Sequence, residues 1–373
     1  MKTENMNEVS IKKSIPDCIG LDFESIITKN LPWSDLTNKT VLISGAGGFV
    51  AYYIIGALLL LNDMHNINVK IIGLVRNEKK ARARLGVLAD RQEFSFLVQD
   101  VCEPISEDVS ADYIIHAASQ ASALQFEMDP VGTINANIAG TSNLLDFAKR
   151  CDASRFLFIS SLKVYGQVEN EYGYLRENQS GYLDYLSYKN CYAVGKRSAE
   201  ALCACYAKQY GLSVRISRPS YIYGAAALDD DRVWAQFFAN VIKNQNILLK
   251  SSGNSYRSFC YVADAVSAIF MIMLKGEDLK PYNISSLDSN CTIRKFAETA
   301  INAFPDLNLR LKFQNPQDAL LIDDLKDEFT PDVMDASELD SLGWHASFDL
   351  ESGIIRSLDT MRCVQEEKNH ARG

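Results

Sequence analysis

The chain has 373 residues, 47% of them apolar and 23% charged, with a formal net charge of −9. That length suits two intimately joined domains, and the negative balance argues against nucleic acid as a partner. No apolar run reaches the ~20 residues of a membrane span, and Met1 to Ser10 is polar, with no apolar signal core. Nine scattered cysteines without metal-type spacing are expected to be reduced thiols in a cytoplasmic protein that holds no metal.

Residues 1–37 precede the first strand-like run. Leu21 to Ile27 predicts a short helix and Leu31-Pro32-Trp33 a packing anchor, lying on the domain or on a partner subunit. From Thr40 onward, strand-like runs at Val41–Ser44, Val69–Val75, Phe94–Gln99, Tyr113–His116, Phe156–Ser160 and Ser213–Ser217 alternate with helical ones. The helical patterns are Tyr52–Asn62, Lys79–Leu88, Thr133–Arg150 and Tyr192–Tyr210. Such alternation predicts an α/β fold, a Rossmann-type doubly wound parallel sheet, with a smaller C-terminal substrate-binding domain. We place the dinucleotide-binding domain at 38–218, with 258–285 returning to it, and the substrate-binding domain at 219–257 and 286–373. The two longest helices carry more apolar surface than one sheet face uses, which makes a homodimer the expected state.

The stretch Val41 to Ala51 reads V-L-I-S-G-A-G-G-F-V-A. A strand running into Gly45, Gly47 and Gly48 and then into a helix makes a seat for a pyrophosphate. Bare glycines let the backbone approach, and the first helical N–H groups, at Phe49 and Val50, face the anion. After the second strand, the position where an acidic residue often holds a ribose is Val75, followed by Arg76 with Lys79 and Lys80 behind it. Arginine there suits a 2′-phosphate and so NADP, or else stacks on adenine at a solvated helix start. Asp100 and Val101 follow the third strand and suit the adenine, and Ala117 and Ala118 after the fourth are small enough for a cofactor to lie across them.

The fifth strand ends in Ser160-Ser161, and Tyr192 and Lys196 follow about thirty residues later, four apart and hence on one helix face. A phenol of pKa ~10 is a poor base near neutrality, but an ammonium one turn away favours the phenolate. Tyr192 can then take a hydroxyl proton while a hydride leaves the same carbon, with Ser161 holding that oxygen.

At these residues the chain resembles the extended short-chain dehydrogenase/reductases, the NAD-dependent epimerases, dehydratases and decarboxylases of nucleotide-sugars, and most of all the decarboxylase branch. The resemblance runs over roughly residues 38 to 350. Asp129-Pro130-Val131 to Asn137-Ile138-Ala139-Gly140-Thr141 is similar to the family's helix with its structural asparagine, Asn137. Cys191-Tyr192 through Lys196-Arg197 to Ala199-Glu200 resembles the catalytic helix, and Pro331-Asp332 with Leu342-Gly343-Trp344 the closing segment. Asp231-Arg232-Val233 and Tyr256 to Val262 resemble the diphosphate loops, which implies phosphate roles for Arg232 and Arg257. Fork-shaped donors in such loops fit that role, although Arg232 follows three aspartates that compete for it.

The resemblance implies NAD as the cofactor, where Arg76 favours NADP, and a nucleotide-sugar as the substrate, oxidised at C4 and then epimerised or decarboxylated. The departure from the pattern lies at Leu162 and Lys163, where the family carries carboxylates after the strand-end serine. Dehydration is therefore disfavoured, and Lys163 faces the sugar instead. The other readings are an NADP-dependent reductase of a small carbonyl compound and a dinucleotide sensor without activity. An activated phenol serves no purpose in a sensor.

Overall fold

The computed structural model describes residues 17–168, 173–315, 317 and 333–370. Pro331-Asp332 lies outside them. The alternation of the sequence becomes a seven-stranded, all-parallel sheet. Its first six strands are β1 (Thr40–Ser44), β2 (Lys70–Val75), β3 (Phe94–Val98), β4 (Tyr113–His116), β5 (Arg155–Ile159) and β6 (Val214–Pro219). Short strands β7 (Tyr221–Tyr223), β8 (Ile247–Leu249), β9 (Tyr256–Arg257) and β10 (Phe259–Tyr261) follow, and β11 (Pro281–Ile284) returns to the main sheet. Two more, β12 (Cys291–Thr292) and β13 (Leu311–Phe313), pair with β9 and β8. The main order is β11-β6-β5-β4-β1-β2-β3, so the chain reverses direction across the sheet between β1 and β4. Ligands of doubly wound sheets sit in the crevice at that reversal, outside the carboxyl ends of the strands.

The strands are short apolar runs because both faces are covered. On β1, Val41 and Ile43 enter one core and Leu42 the other. The first face carries α1 (Asp17–Ile27), α2 (Phe49–His65) and, later in the chain, the apolar helix α8 (Val262–Lys275). Next in order come α3 (Glu78–Leu85), α4 (Ala123–Met128), α5 (Pro130–Arg150) and α6 (Cys191–Tyr210), of which α5 and α6 lie side by side over the second face. The remaining helices are α7 (Val233–Ile242), α8 (Val262–Lys275), α9 (Ile293–Asn302), α10 (Ser337–Asp340) and α11 (Leu350–His370).

The described part of the segment before β1, from Asp17 on, packs on the chain's own body. On α1, the Phe23 ring lies across the Gly56 side of α2, where a Cβ on Gly56 would come within 2.1 Å of it. Trp33 meets Phe270 of α8 edge-on, with centroids 5.2 Å apart. Trp344, within the closing Leu342-Gly343-Trp344, is buried and donates from Nε1 to Ser267 Oγ at 2.9 Å.

Candidate active site

The first turn after β1 is built around Gly45, whose φ of +69° suits glycine. A Cβ there would lie 2.8 Å from the Ala118 Cα, so the close approach of this turn to the end of β4 also needs a bare residue. Ser44 ties the two strand ends together. Its Oγ accepts from the N–H groups of Ala117 and Ala118 at 3.1 Å each, so its own proton goes to His116 Nδ1 at 2.7 Å. Burial keeps that histidine neutral, well below its ordinary pKa. Gly48 is the N-cap of α2 and offers no side chain to the first helical N–H groups. Phe49 and Val50 therefore begin a helix whose positive end is available to an anion, and the turn fits a dinucleotide pyrophosphate. Gly47 lies against Ala81, and its carbonyl accepts from Arg84 Nη1 at 3.1 Å.

At the end of β2, exposed Arg76 lies with Nη1 3.8 Å from Asp100 Oδ2, beyond β3. Asp100 Oδ1 also accepts the Cys102 N–H at 2.9 Å. Val101 is buried against Gly140 of α5. Asn137, fully buried, donates to Ser119 Oγ at 3.0 Å and to the Thr133 carbonyl at 2.8 Å, and it lies against Gly195 of α6.

Ser161, Tyr192 and Lys196 converge at the carboxyl end of β5. The Ser161 hydroxyl hydrogen-bonds to the Tyr192 phenol. Burial pushes that phenol above its ordinary pKa, and the Ser161 hydrogen bond and the Lys163 charge both oppose the rise. Lys196 is buried, and burial lowers its ammonium to about 7. Its Nζ lies 5.8 Å from the Tyr192 ring centroid and donates to the Ile159 carbonyl at 2.6 Å. The Lys163 charge thus acts on the phenol, and Lys196 stands beside the same ring. Ser160, placed with the cofactor from sequence, donates to Glu200 Oε1 at 2.5 Å.

Glu200 in turn binds Arg218 through both oxygens, at 3.0 and 2.7 Å. Arg197 donates from Nε to the Val164 carbonyl at 2.9 Å. One and four residues after Lys196, these two side chains fasten α6 to the turn that carries Ser161 and Lys163.

On the open side, Lys163 Nζ lies 5.4 Å and Arg257 Cζ 6.0 Å from the centroid of the Tyr221 ring. Lys163 and Arg257 thus share one wall of the crevice. Arg257 donates to the Ser255 hydroxyl and the Tyr256 carbonyl, both at 3.1 Å. Arg232 is held differently. It forms a two-pronged pair with Asp230 at 2.9 and 2.6 Å and lies over Phe49 and Trp234, 4.5 Å from each centroid. The competing aspartate has it, and its place over Phe49 sets it beside the phosphate seat.

Two features escape sequence reading. Phe126 of α4 stacks on the Tyr192 ring, with centroids 4.9 Å apart and planes at 18°. Ser122, which caps α4, donates to Asp231 Oδ2 at 2.6 Å and so bridges the crevice to the Arg232 loop. A six-residue helix has too few turns for periodicity to announce it.

Known proteins resemble this chain in sequence and in fold. UDP-glucuronic acid decarboxylase 5 of Arabidopsis thaliana is 31% identical over 322 residues, 85% of this chain and 88% of the relative. UDP-glucuronic acid decarboxylase 1 of Danio rerio is 28% identical, over 94% of this chain and 82% of its own length. The fold is that of the solved UDP-glucose 4-epimerase of Thermotoga maritima, with TM-score 0.71 and 19% identity over 87% of this chain and 99% of that one. It is also that of a Bacillus cereus UDP-glucuronic acid 4-epimerase, solved with UDP-glucuronic acid and NAD, with TM-score 0.70 and 20% identity over 87% and 99%. A family profile matches residues 41–285, from the strand before the glycine turn to the last strand of the sheet. On that match and those relatives, the chain belongs to the NAD dependent epimerase/dehydratase family.

Proposed function

We propose that this chain modifies a UDP-sugar by oxidising it at C4 and reducing it again with a retained NAD, for net epimerisation or decarboxylation. The observation that carries the reading is the meeting of Ser161 and Lys163 on the Tyr192 phenol, at the carboxyl edge of the sheet and beside an uncapped helix N-terminus. A phenol held by a hydroxyl and a cation is equipped to take a proton from a sugar hydroxyl.

The cofactor's parts have candidate partners along the strand ends. Gly45, Gly47, Gly48, Phe49 and Val50 would meet the pyrophosphate, Asp100 and Val101 the adenine, and Ala117 and Ala118 the nicotinamide side. Lys196 would turn from the Ile159 carbonyl to the ribose hydroxyls. Asp100 beside Arg76 supports NAD, because a 2′-phosphate would meet that carboxylate as well as the guanidinium. When bound, the nicotinamide accepts a hydride from C4 and later gives it back.

Tyr192 takes the C4 hydroxyl proton, and Ser161 holds the oxygen in line. Lys163 counters the cost of a buried phenolate. Arg257 is the candidate for the diphosphate, with Arg232 supporting the wall near Phe49. Leu162 and Lys163 leave no carboxylate for the proton transfers of a dehydration. A 4-keto uronate loses carbon dioxide with little acid catalysis, and a 4-keto sugar that turns over is reduced on its other face. The substrate-binding part is 219–257 with 286–373, completed by 38–218 and 258–285. Exposed Val131 on α5 fits a homodimer through α5 and α6. None of the described helices is long and apolar enough to cross a membrane.

Denaturing the purified protein and identifying what it releases tests the retained cofactor. NAD in near-equal amount to protein is expected. Release of NADP, or a demand for added cofactor at every turnover, would count against the reading.

A further inference from the structure

The segment between β4 and α5 crosses the crevice as a strap whose middle is α4. Both of its ends are fastened to α5. Asn137 donates to Ser119 Oγ at 3.0 Å, and Gln120 Nε2 donates to Asp129 Oδ2 at 2.8 Å. Asp129 is itself the N-cap of α5, its Oδ1 accepting the Gly132 N–H at 2.9 Å. Between these ends the strap packs little of its own. Leu124 is 51% and Met128 71% exposed, whereas Phe126 is half-buried and stacks on the Tyr192 ring. Six residues are too few for a helix to hold on backbone hydrogen bonds alone, so contacts from outside seat α4.

One such contact ties the strap to the far side. The Ser122 hydroxyl accepts the Gln125 N–H at 3.4 Å as the cap of α4, and its own proton goes to Asp231 Oδ2 at 2.6 Å. Asp231 stands on a well-anchored loop. Its carbonyl accepts Gln236 Nε2 of α7 at 3.0 Å, and neighbouring Arg232 is gripped by Asp230 and lies over Phe49 and Trp234. We propose that Ser122 and Asp231 form a clasp that holds Phe126 over Tyr192, which makes both of them positioning residues for the phenol. The clasp rests on the reading of Tyr192 as the base.

The clasp links the loop of Arg232 to the phenol across the crevice. A ring stacked on the phenol keeps water from one of its faces, and burial is the largest influence that raises Tyr192. The charged groups about the phenol are Lys163, on the turn after β5, and Lys196, on α6, and neither belongs to the clasp. Opening the clasp therefore lets α4 lift, water reach the phenol and the phenolate form at lower pH.

The test uses the full-length protein as purified and two readouts. One is amide hydrogen exchange across residues 122–128. The other is the pH titration of the Tyr192 phenol, followed by ultraviolet difference absorbance against Tyr192→Phe. Ser122→Ala and Asp231→Ala should each speed exchange in α4 about fivefold and move the titration to lower pH by roughly half a unit. Ser122→Thr keeps the donor and Asp231→Asn keeps an acceptor, so neither readout should move in them, nor in Gln125→Ala. Adding Ser122→Ala to Phe126→Ala should not move the titration further. Faster exchange in Ser122→Ala with none in Asp231→Ala would reduce the contact to a helix cap and overturn the proposal. So would faster exchange with an unmoved titration. Neither readout needs a sugar to turn over, so a failure of the clasp and a failure of the UDP-sugar reading are told apart.

Discussion

The proposed role of Tyr192 as a base depends on what surrounds it. Burial alone raises the phenol, and only the Ser161 hydroxyl and the Lys163 charge pull it back. Tyr192→Phe should therefore cost 10²- to 10⁴-fold in turnover while cofactor release after denaturation is unchanged. Lys163→Met removes one of the two opposing influences, so the acidic limb of kcat/KM should move to higher pH. Lys163→Glu should move it further and change sugar preference or product. Because Lys163 is exposed, melting should shift little in either variant. An unmoved pH profile with unchanged sugar preference would place Lys163 away from the reacting centre. At this scale the sequence was informative wherever spacing carries chemistry. Tyr192 and Lys196 one turn apart, and Ser161 at a strand end, are local facts. The partner of Lys196 was not legible, since the Ile159 carbonyl reaches it from another element. Nor was the hydrogen bond from Ser160 to Glu200, forty residues away.

Among the elements, β1 to β6 and α2, α5 and α6 follow from apolar runs and periodicity, to within a few residues at their ends. β11 is different. Pro281–Ile284 is short and opens with proline, and only pairing with β6 identifies it as a sheet strand. α4 is likewise silent, yet it lays Phe126 on the Tyr192 ring. Phe126→Ala should let water reach Tyr192 and relieve part of the burial that raises it. The acidic limb of kcat/KM should then move to lower pH, opposite to Lys163→Met. A shift in the same direction as Lys163→Met would show that Phe126 does not cover the phenol. The first helix has its own test. Phe23 is fully buried against α2, so Phe23→Ala should cost about 3–5 kcal/mol in denaturant unfolding. A loss under 1 kcal/mol would mean that α1 does not pack as described.

For the whole molecule, acidic groups taken out of water make stability depend on pH. Asp264 opens α8 and accepts the backbone N–H groups of Ser347 and Phe348 at 2.8 and 2.9 Å, which joins α8 to the approach of α11. Burial still pushes its carboxyl up to about 6. Its folded value lies above the unfolded one, so the protonated form favours folding. The stability it contributes is present below about pH 4 and lost as pH rises through about 6, a change on the order of 2–3 kcal/mol. Asp264→Asn should flatten that part of the stability profile, and an unaltered slope would assign it to other groups. The central claim concerns what the assembled crevice does. Offering UDP-glucuronate, UDP-glucose and UDP-N-acetylglucosamine, each deuterated at sugar C4, and following the products by NMR tests it most directly. The account predicts that one of them is epimerised or decarboxylated with deuterium still on C4, because the hydride taken there is returned there. Conversion that leaves C4 without its deuterium, or no conversion of any UDP-sugar, would contradict it.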